Sequence, residues 1–277
     1  MKFFHSSNKK VSRNVMQQIK RIILLLCVLL ADRNCMSQEK ILPAALRPFI
    51  PQGYEWLDFA EGCLDKDNKK DAILILKVIG EDSITTTDLQ RPFLILIRQP
   101  DGNLKLEKRN DNLVMCRSCG GVFGDPYENT EIKNNGFTIS FYGGSNWRWG
   151  YDYQFSYNPA KHDWFLTREK QISYLNTEPE INVKKTMIES DELELVSVSD
   201  FNIDRPFIQT KWKLACAKAN FYDNPKKNSK PRKGYLVKND TVTCIRILKN
   251  FIQVEYENKN GSYSSGFILR SCLQPAE

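Results

Sequence analysis

The sequence predicts an all-β protein with minor helix, in which a β-sheet domain is followed by a small barrel. Three observations carry that expectation. Short runs rich in Ile, Val, Phe, Tyr and Trp recur along the chain ("DAILILKVIG", "RPFLILIRQ", "GFTISFY", "WRWGYDYQFSY", "TVTCIRILK", "FIQVEYEN"), and these residue types suit a pleated, half-buried strand. Clusters of Gly, Asn, Asp and Pro separate the runs, and "QPDGN", "YGGSN" and "NKNGS" hold the residues that hairpin turns with positive φ require. No stretch shows the apolar period of a long amphipathic helix.

Residues 1–37 read as a secretory signal. A basic flank (Lys20, Arg21) precedes an apolar core from Ile22 to Ala31, and polar residues follow, ending on small Ser37. Crossing a bilayer takes roughly 20 apolar residues, so this core is too short for a stable membrane span and cleavage before Gln38 is expected. A start at Met16 rather than Met1 would explain the long stretch ahead of the core. Cys27 and Cys35 raise a lipoprotein as the competing reading, although Leu26 and Asn34 are larger than the small residue that normally precedes an acylated cysteine. The expected location is periplasmic or extracellular.

The formal charge is +7 over the whole chain. Residues 1–37 hold seven Lys/Arg and one Asp, so the exported chain carries only +1. That speaks against a nucleic-acid partner, which needs a concentrated basic surface. The remaining charge is unevenly spread: residues 213–277 carry twelve Lys/Arg against five acidic residues, and residues 38–212 sum to −6. Such asymmetry predicts two modules with different partners. The β-rich first module is expected over 38–177, a polar, acidic connector with one or two strands over 178–212, and the second module over 213–277.

In the first module, "CLDKDNKKDAILIL" spaces Asp65, Asp67 and Asp71 ahead of an apolar strand. Calcium takes six to eight oxygen ligands from a tight loop. Here Cys63, Asp65, Asp67 and Asp71 would hold its first, third, fifth and ninth places, with Asn68 where a glycine would ease the turn. A thiol is a poor ligand for a hard cation. The pattern therefore reads either as a weak calcium site, the one cofactor the chain suggests, or as a turn whose carboxylates cap their own backbone. The loop and its "AILIL" strand resemble the aspartate-rich element of the FG-GAP and VCBS repeat families of β-propeller blades and secreted β-proteins. The resemblance occurs once, whereas a propeller needs at least four blades, so it implies a calcium loop and no propeller.

From Trp147 every second residue is aromatic: Trp147, Trp149, Tyr151, Tyr153, Phe155 and Tyr157. A strand alternates its faces, so these rings line one side. They are expected to form core, with Trp147 and Tyr157 at the ends reaching solvent, where they could stack on sugar rings or a partner chain.

Six cysteines remain after export: Cys63, Cys116, Cys119, Cys216, Cys244 and Cys272. An even number in an oxidising compartment suggests disulfides. The "CRSC" pair of Cys116 and Cys119 has no second pair to complete a zinc ribbon. The glycine-rich "GGVFGDPY" behind it offers no helix N-terminus to activate a thiol, so a structural bridge is expected. Cys216 and Cys272 lie near the two ends of the second module, where terminal strands of a small barrel meet, and are expected to pair.

That second module has short strands at Ala219 to Phe221, after "GYLVKNDTV" and through the hairpin "FIQVEYENKNGSYSSGFI", with Gly266, Phe267 and Ile268 at its end. Over roughly Leu214 to Leu273 it resembles the bacterial SH3-like domain, whose corresponding triplet is commonly Gly-Trp-Ile. The resemblance implies a wall- or peptide-binding module on an exported protein. Lys226, Lys227, Lys230, Arg232 and Lys233 crowd its first loop, which is either a solvated loop or a surface attracted to an anionic partner.

A catalytic set is not visible. The exported chain keeps one histidine, His162, and a bridged thiol cannot also be a nucleophile. The expectation is a non-catalytic exported binding or accessory protein that engages cell-wall glycopeptide or an exported protein. The alternatives are an inhibitor or immunity-type protein capturing a secreted toxin or hydrolase, and a cell-wall hydrolase.

Overall fold

The computed structural model describes residues 40–84, 89–204, 210–226, 228–258 and 260–276. The expected signal segment, with Met16, Cys27 and Cys35, lies outside the described residues. Among the described residues no helix is long and apolar enough to cross a membrane. The chain is all-β, built from antiparallel sheets joined by turns and short 3₁₀ segments.

The first sheet is a meander of β1 (Tyr54–Gly62), β2 (Asp71–Val78), β3 (Arg91–Arg98) and β4 (Leu104–Val114). "DAILIL" and "RPFLIL" read as unbroken apolar runs because both faces of this sheet are covered. Ile73, Ile75, Phe93 and Ile95 point into the main core, while Ala72, Leu74, Leu76, Leu94 and Leu96 face a second cluster closed by Leu46 from the 3₁₀ segment Ala44–Phe49. A strand buried on both sides loses the polar half of its alternation.

The second sheet is also a meander: β5 (Tyr127–Ile132), β6 (Gly136–Gly144), β7 (Trp147–Asn158), β8 (Asp163–Leu175) and β9 (Lys184–Glu189). Its inner face supplies Phe137, Ile139, Phe141, Tyr153, Phe155, Trp164 and Leu166 to the main core. Phe137 and Phe155 stack with centroids 4.9 Å apart. Tyr127 ties the two sheets by donating its hydroxyl to Asp58 Oδ2 at 2.8 Å, and burial pushes that phenol well above its ordinary pKa.

The third sheet contains β10 (Thr210–Leu214), β11 (Lys218–Tyr222), β12 (Pro231–Val237), β13 (Thr241–Ile247), β14 (Phe251–Glu257), β15 (Tyr263–Leu269) and β16 (Leu273–Pro275). Its order, β12-β11-β15-β14-β13-β10-β16, makes a curled, barrel-like sheet around Phe221, Leu236, Val242, Cys244, Ile252, Val254 and Ile268.

This barrel is built into the rest of the protein. Ile252 and Ile268 point to its interior, whereas their neighbours Phe251 and Phe267 join Leu248 in the main core. The stretch read as a connector adds β9 and buries Leu193, Val198 and Phe201 in the same core. Asn110 Nδ2 donates to the carbonyls of Val198 and Phe201, and Arg246 of β13 meets the buried Glu169 of β8 at 2.6 Å. From Leu42 to Glu277 the chain is one compact unit.

Cys116 is bonded to Cys119 and Cys216 to Cys272. Among the described residues Cys63 and Cys244 are free, with Cys244 buried in the barrel.

Candidate functional site

The acidic loop is pinned from both ends. Leu64 is fully buried, and its carbonyl accepts the indole N–H of Trp164 at 2.8 Å. Asp71 is buried at the start of β2, where Oδ2 accepts the N–H of Leu64 and Oδ1 that of Arg98, both at 2.9 Å. Between these anchors the turn caps itself: Asp65 Oδ1 accepts from Asp67 N and Asp67 Oδ1 from Lys69 N, each at 2.8 Å. Asn68 takes a left-handed φ of 62°, a conformation that asparagine tolerates better than most side chains.

Asp65, Asp67 and Asp71 converge, each offering a carboxylate oxygen within 4.8 Å of the others. Burial, with the charges of Asp71 and Asp67, raises the Asp65 carboxyl, against the lowering effect of the Asp67 N–H. Asp67 is held down by the N–H of Lys69, whose ammonium also lies 3.1 Å from its second oxygen. The three residues can therefore present oxygens to a cation, but each already accepts a backbone N–H and Lys69 supplies positive charge from within the loop.

That arrangement favours a self-capped turn. The melting temperature of the oxidised chain should be the same in EDTA and in millimolar calcium. A native-state site at 100 times Kd would add about 2.7 kcal/mol, so a rise of several degrees, abolished in Asp67→Ala, would assign the loop to calcium.

The aromatic row of β7 is mostly core. Tyr153 and Phe155 are buried, Trp149, Tyr151 and Tyr157 pack against the cluster, and Trp147 is 52% exposed. Trp147 and Tyr157 do not share a site: ten residues of strand separate them by ~33 Å. Tyr157 lies at the acidic-loop end, where burial and then the charges of Asp65 and Glu107 raise its phenol.

The basic loop divides by role. Arg232 is a structural clamp, reaching Asp223 at 2.6 Å and the Ser265 carbonyl at 2.7 Å. Lys227 lies outside the described residues. Lys226, Lys230 and Lys233 are exposed, and no ion pair engages them among the described residues. Lys226 and Lys230 lie in the loop ahead of β12 and Lys233 on that strand, which is an edge of the barrel sheet and where Lys218 Nζ sits 3.8 Å from the ring centre of the exposed Tyr235. Phe267 is buried and packs into the main core, docking the barrel there.

His162 sits in the exposed turn after β7 with φ 48°, its Nδ1 3.3 Å from the Tyr157 hydroxyl. A cleft of about 290 Å³ opens near it, with Tyr157, Phe165, Leu193, Leu195 and Lys249 among its walls and neither histidine nor cysteine in its lining.

No protein-family model matches the chain, and neither a curated protein nor a solved structure matches it.

Sequence patterning did not single out Phe123, Tyr142, Arg148 and Tyr174, which meet on the solvent side of the second sheet. They come from one loop and three strands, so no local period connects them. The signal that could have found them is the "Y-G-G" of β6 together with Gly150 of β7, glycines that leave room beside large rings.

Proposed function

We propose that this chain is an exported, non-catalytic binding protein whose SH3-like barrel engages anionic cell-wall glycopeptide, or an exported protein of like charge. The observation that carries the reading is the set Lys226, Lys230 and Lys233: exposed, free of ion pairs among the described residues, and grouped on an edge strand and the loop ahead of it. Positive charges without internal partners raise the local concentration of an anionic ligand. The two disulfides support residence in an oxidising compartment. His162 is exposed and meets a tyrosine hydroxyl, four cysteines are bridged, and of the two free thiols among the described residues Cys244 is buried and Cys63 half-buried, an arrangement that supports a non-catalytic role.

The oxidised chain should co-sediment with purified peptidoglycan sacculi at low salt. Retention should fall steeply between about 0.1 and 1 M salt, as the screening length drops from about 10 to about 3 Å. Lys230→Glu combined with Lys233→Glu should remove most of the low-salt retention. Absence of retention, or retention indifferent to both salt and the double substitution, would overturn the reading. A tight one-to-one complex with a secreted hydrolase in place of wall binding would favour the inhibitor alternative.

A further inference from the structure

We propose that the solvent face of the second sheet is a glycan-binding platform made by Tyr142 and Tyr174 and bordered by Phe123 and Arg148. This deepens the wall-binding reading, on which it rests for the ligand's chemical class, and it uses a surface separate from the barrel's lysines.

The register places the residues. Tyr142 pairs with Gly150, Gly150 with Ile172, and Arg148 with Tyr174. Phe141 and Tyr153 on the alternate positions face the core, so Tyr142, Arg148, Gly150, Ile172 and Tyr174 face away from it. The two tyrosines stand on β6 and β8, two strand spacings apart, ~9.6 Å, yet their hydroxyl oxygens meet at 2.7 Å. Both rings therefore lean over β7 and toward the plane of the sheet. Gly150 leaves the space beside Tyr142: a Cβ there would lie 3.0 Å from Ile172 Cγ2 and 3.7 Å from Tyr142 Cδ2.

Phe123 extends the platform. Its ring meets Tyr142 edge-on at 5.5 Å, and the Arg148 guanidinium carbon lies 3.9 Å from its centroid. Phe123 is 50% exposed and held in a closed turn, with Gly120 N donating to Gly124 O and Gly124 N to Gly121 O. The Cys116–Cys119 bridge braces one side of this turn and the Arg91–Asp125 ion pair the other. Gly121 bridges to Gly144, and a Cβ on Gly121 would come 3.0 Å from the Gly144 carbonyl oxygen. A rim ordered before binding spares the ligand that entropic cost. On the same face, one step along the strands, Ser140 and Lys170 both donate to Asp152, at 2.9 and 2.8 Å.

This pairing of surfaces matches the two-sided chemistry of a pyranose. Ring faces carry negative π charge, which the C–H face of the sugar meets with partial positive charge, while its equatorial hydroxyls reach the Ser140, Asp152 and Lys170 groups alongside. A lipid interface has no counterpart for that polar triad.

The test is a titration of the full oxidised chain with a soluble β-1,4-linked N-acetylglucosamine oligosaccharide, together with co-sedimentation on insoluble chitin. Both are run near 1 M salt, where a screening length of about 3 Å silences the lysines. Binding should saturate and weaken at least tenfold in Tyr142→Ala and in Tyr174→Ala. Tyr174→Phe, which keeps the ring face, should bind within about twofold of the parent, and Lys230→Glu with Lys233→Glu should bind as the parent does. Shifts of the Tyr142 and Tyr174 ring resonances on adding the oligosaccharide report the same contact in the unsubstituted chain, whether or not an alanine variant folds.

A parent chain that does not bind the glycan overturns the platform, as do unmoved tyrosine resonances, alanine variants that bind normally, or a protein ligand held at these tyrosines in place of glycan. Lysine-dependent retention on sacculi at low salt would, in each of those cases, leave the wall-binding reading standing.

Discussion

Replacing Arg91 with methionine should lower the unfolding free energy by about 3–5 kcal/mol, the cost of leaving a buried charge without its partner. Arg91 is 0% exposed. Its Nε donates to Glu81 Oε1 at 2.9 Å and its Nη2 to Glu81 Oε2 at 2.7 Å, while Nη1 and Nη2 reach Asp125 at 2.8 and 2.7 Å. Nη1 also donates to the Met115 carbonyl at 3.2 Å. Burial alone would lower the guanidinium pKa, but the hydrogen bonds to Asp125 and Glu81 outweigh it and hold the group charged. Methionine roughly preserves the volume and removes the donors. Asp125 is about a third exposed and can turn to water, whereas Glu81, 2% exposed, cannot.

The loss should therefore trace mainly to Glu81. Arg91→Met with Glu81→Gln should recover a large part of it, read as the midpoint of urea unfolding with an unchanged slope. A loss below about 1 kcal/mol for the single variant, the range of an exposed pair, would mean that the triad carries no structural weight. The same substitution loosens the 116–126 loop that holds Phe123, so glycan binding should weaken in step with stability.

Removing the Cys216–Cys272 bridge, as Cys216→Ser with Cys272→Ser, should cost about 4 kcal/mol. The bridged residues are 56 apart in sequence, and loop-closure entropy of an unfolded chain rises with the length so enclosed. The Cys116–Cys119 bridge spans a separation of only 3 and should contribute about 2 kcal/mol by the same relation. Unfolding should remain a single transition, because Leu248, Phe251 and Phe267 of the barrel sit in the core of the first two sheets. A separate early transition of the barrel, seen by calorimetry, would show that this shared core does not couple them.

Much of the β pattern was legible because strand formation is local. The aromatic alternation of β7 marks a face directly, and the turn-forming "QPDGN" and "NKNGS" fall between strands that pair as hairpins. The acidic loop was legible to a similar depth: the spacing that brings Asp65, Asp67 and Asp71 together is contained in a few residues, and Asn68 adopts the backbone that its place in the turn requires. The basic loop was less so. Five cations within eight residues look alike on paper, and only the position of Asp223 shows that Arg232 is a clamp while Lys226, Lys230 and Lys233 face water.

Arg91 reads as a charged flank of a strand, and nothing nearby announces Glu81 and Asp125 as its partners. The Gly266, Phe267, Ile268 triplet marks the end of a hairpin, but that Phe267 turns to the neighbouring sheets depends on how the barrel docks. Tyr142 and Tyr174 lie on strands separated by β7, and their convergence is a property of register.

The β class, the strand runs, the spacing of the acidic turn and the grouping of basic charge are set by backbone preferences and side-chain periods over about ten residues, and so can be read without the fold; which of its two readings the acidic turn takes cannot. The tertiary fold sets the rest: that the barrel shares the main core, that Arg91 is sealed between two carboxylates, and that the Tyr142 and Tyr174 hydroxyls meet across β7. Those depend on contacts between residues distant along the chain, where packing and the cost of burying unpaired charge select the arrangement.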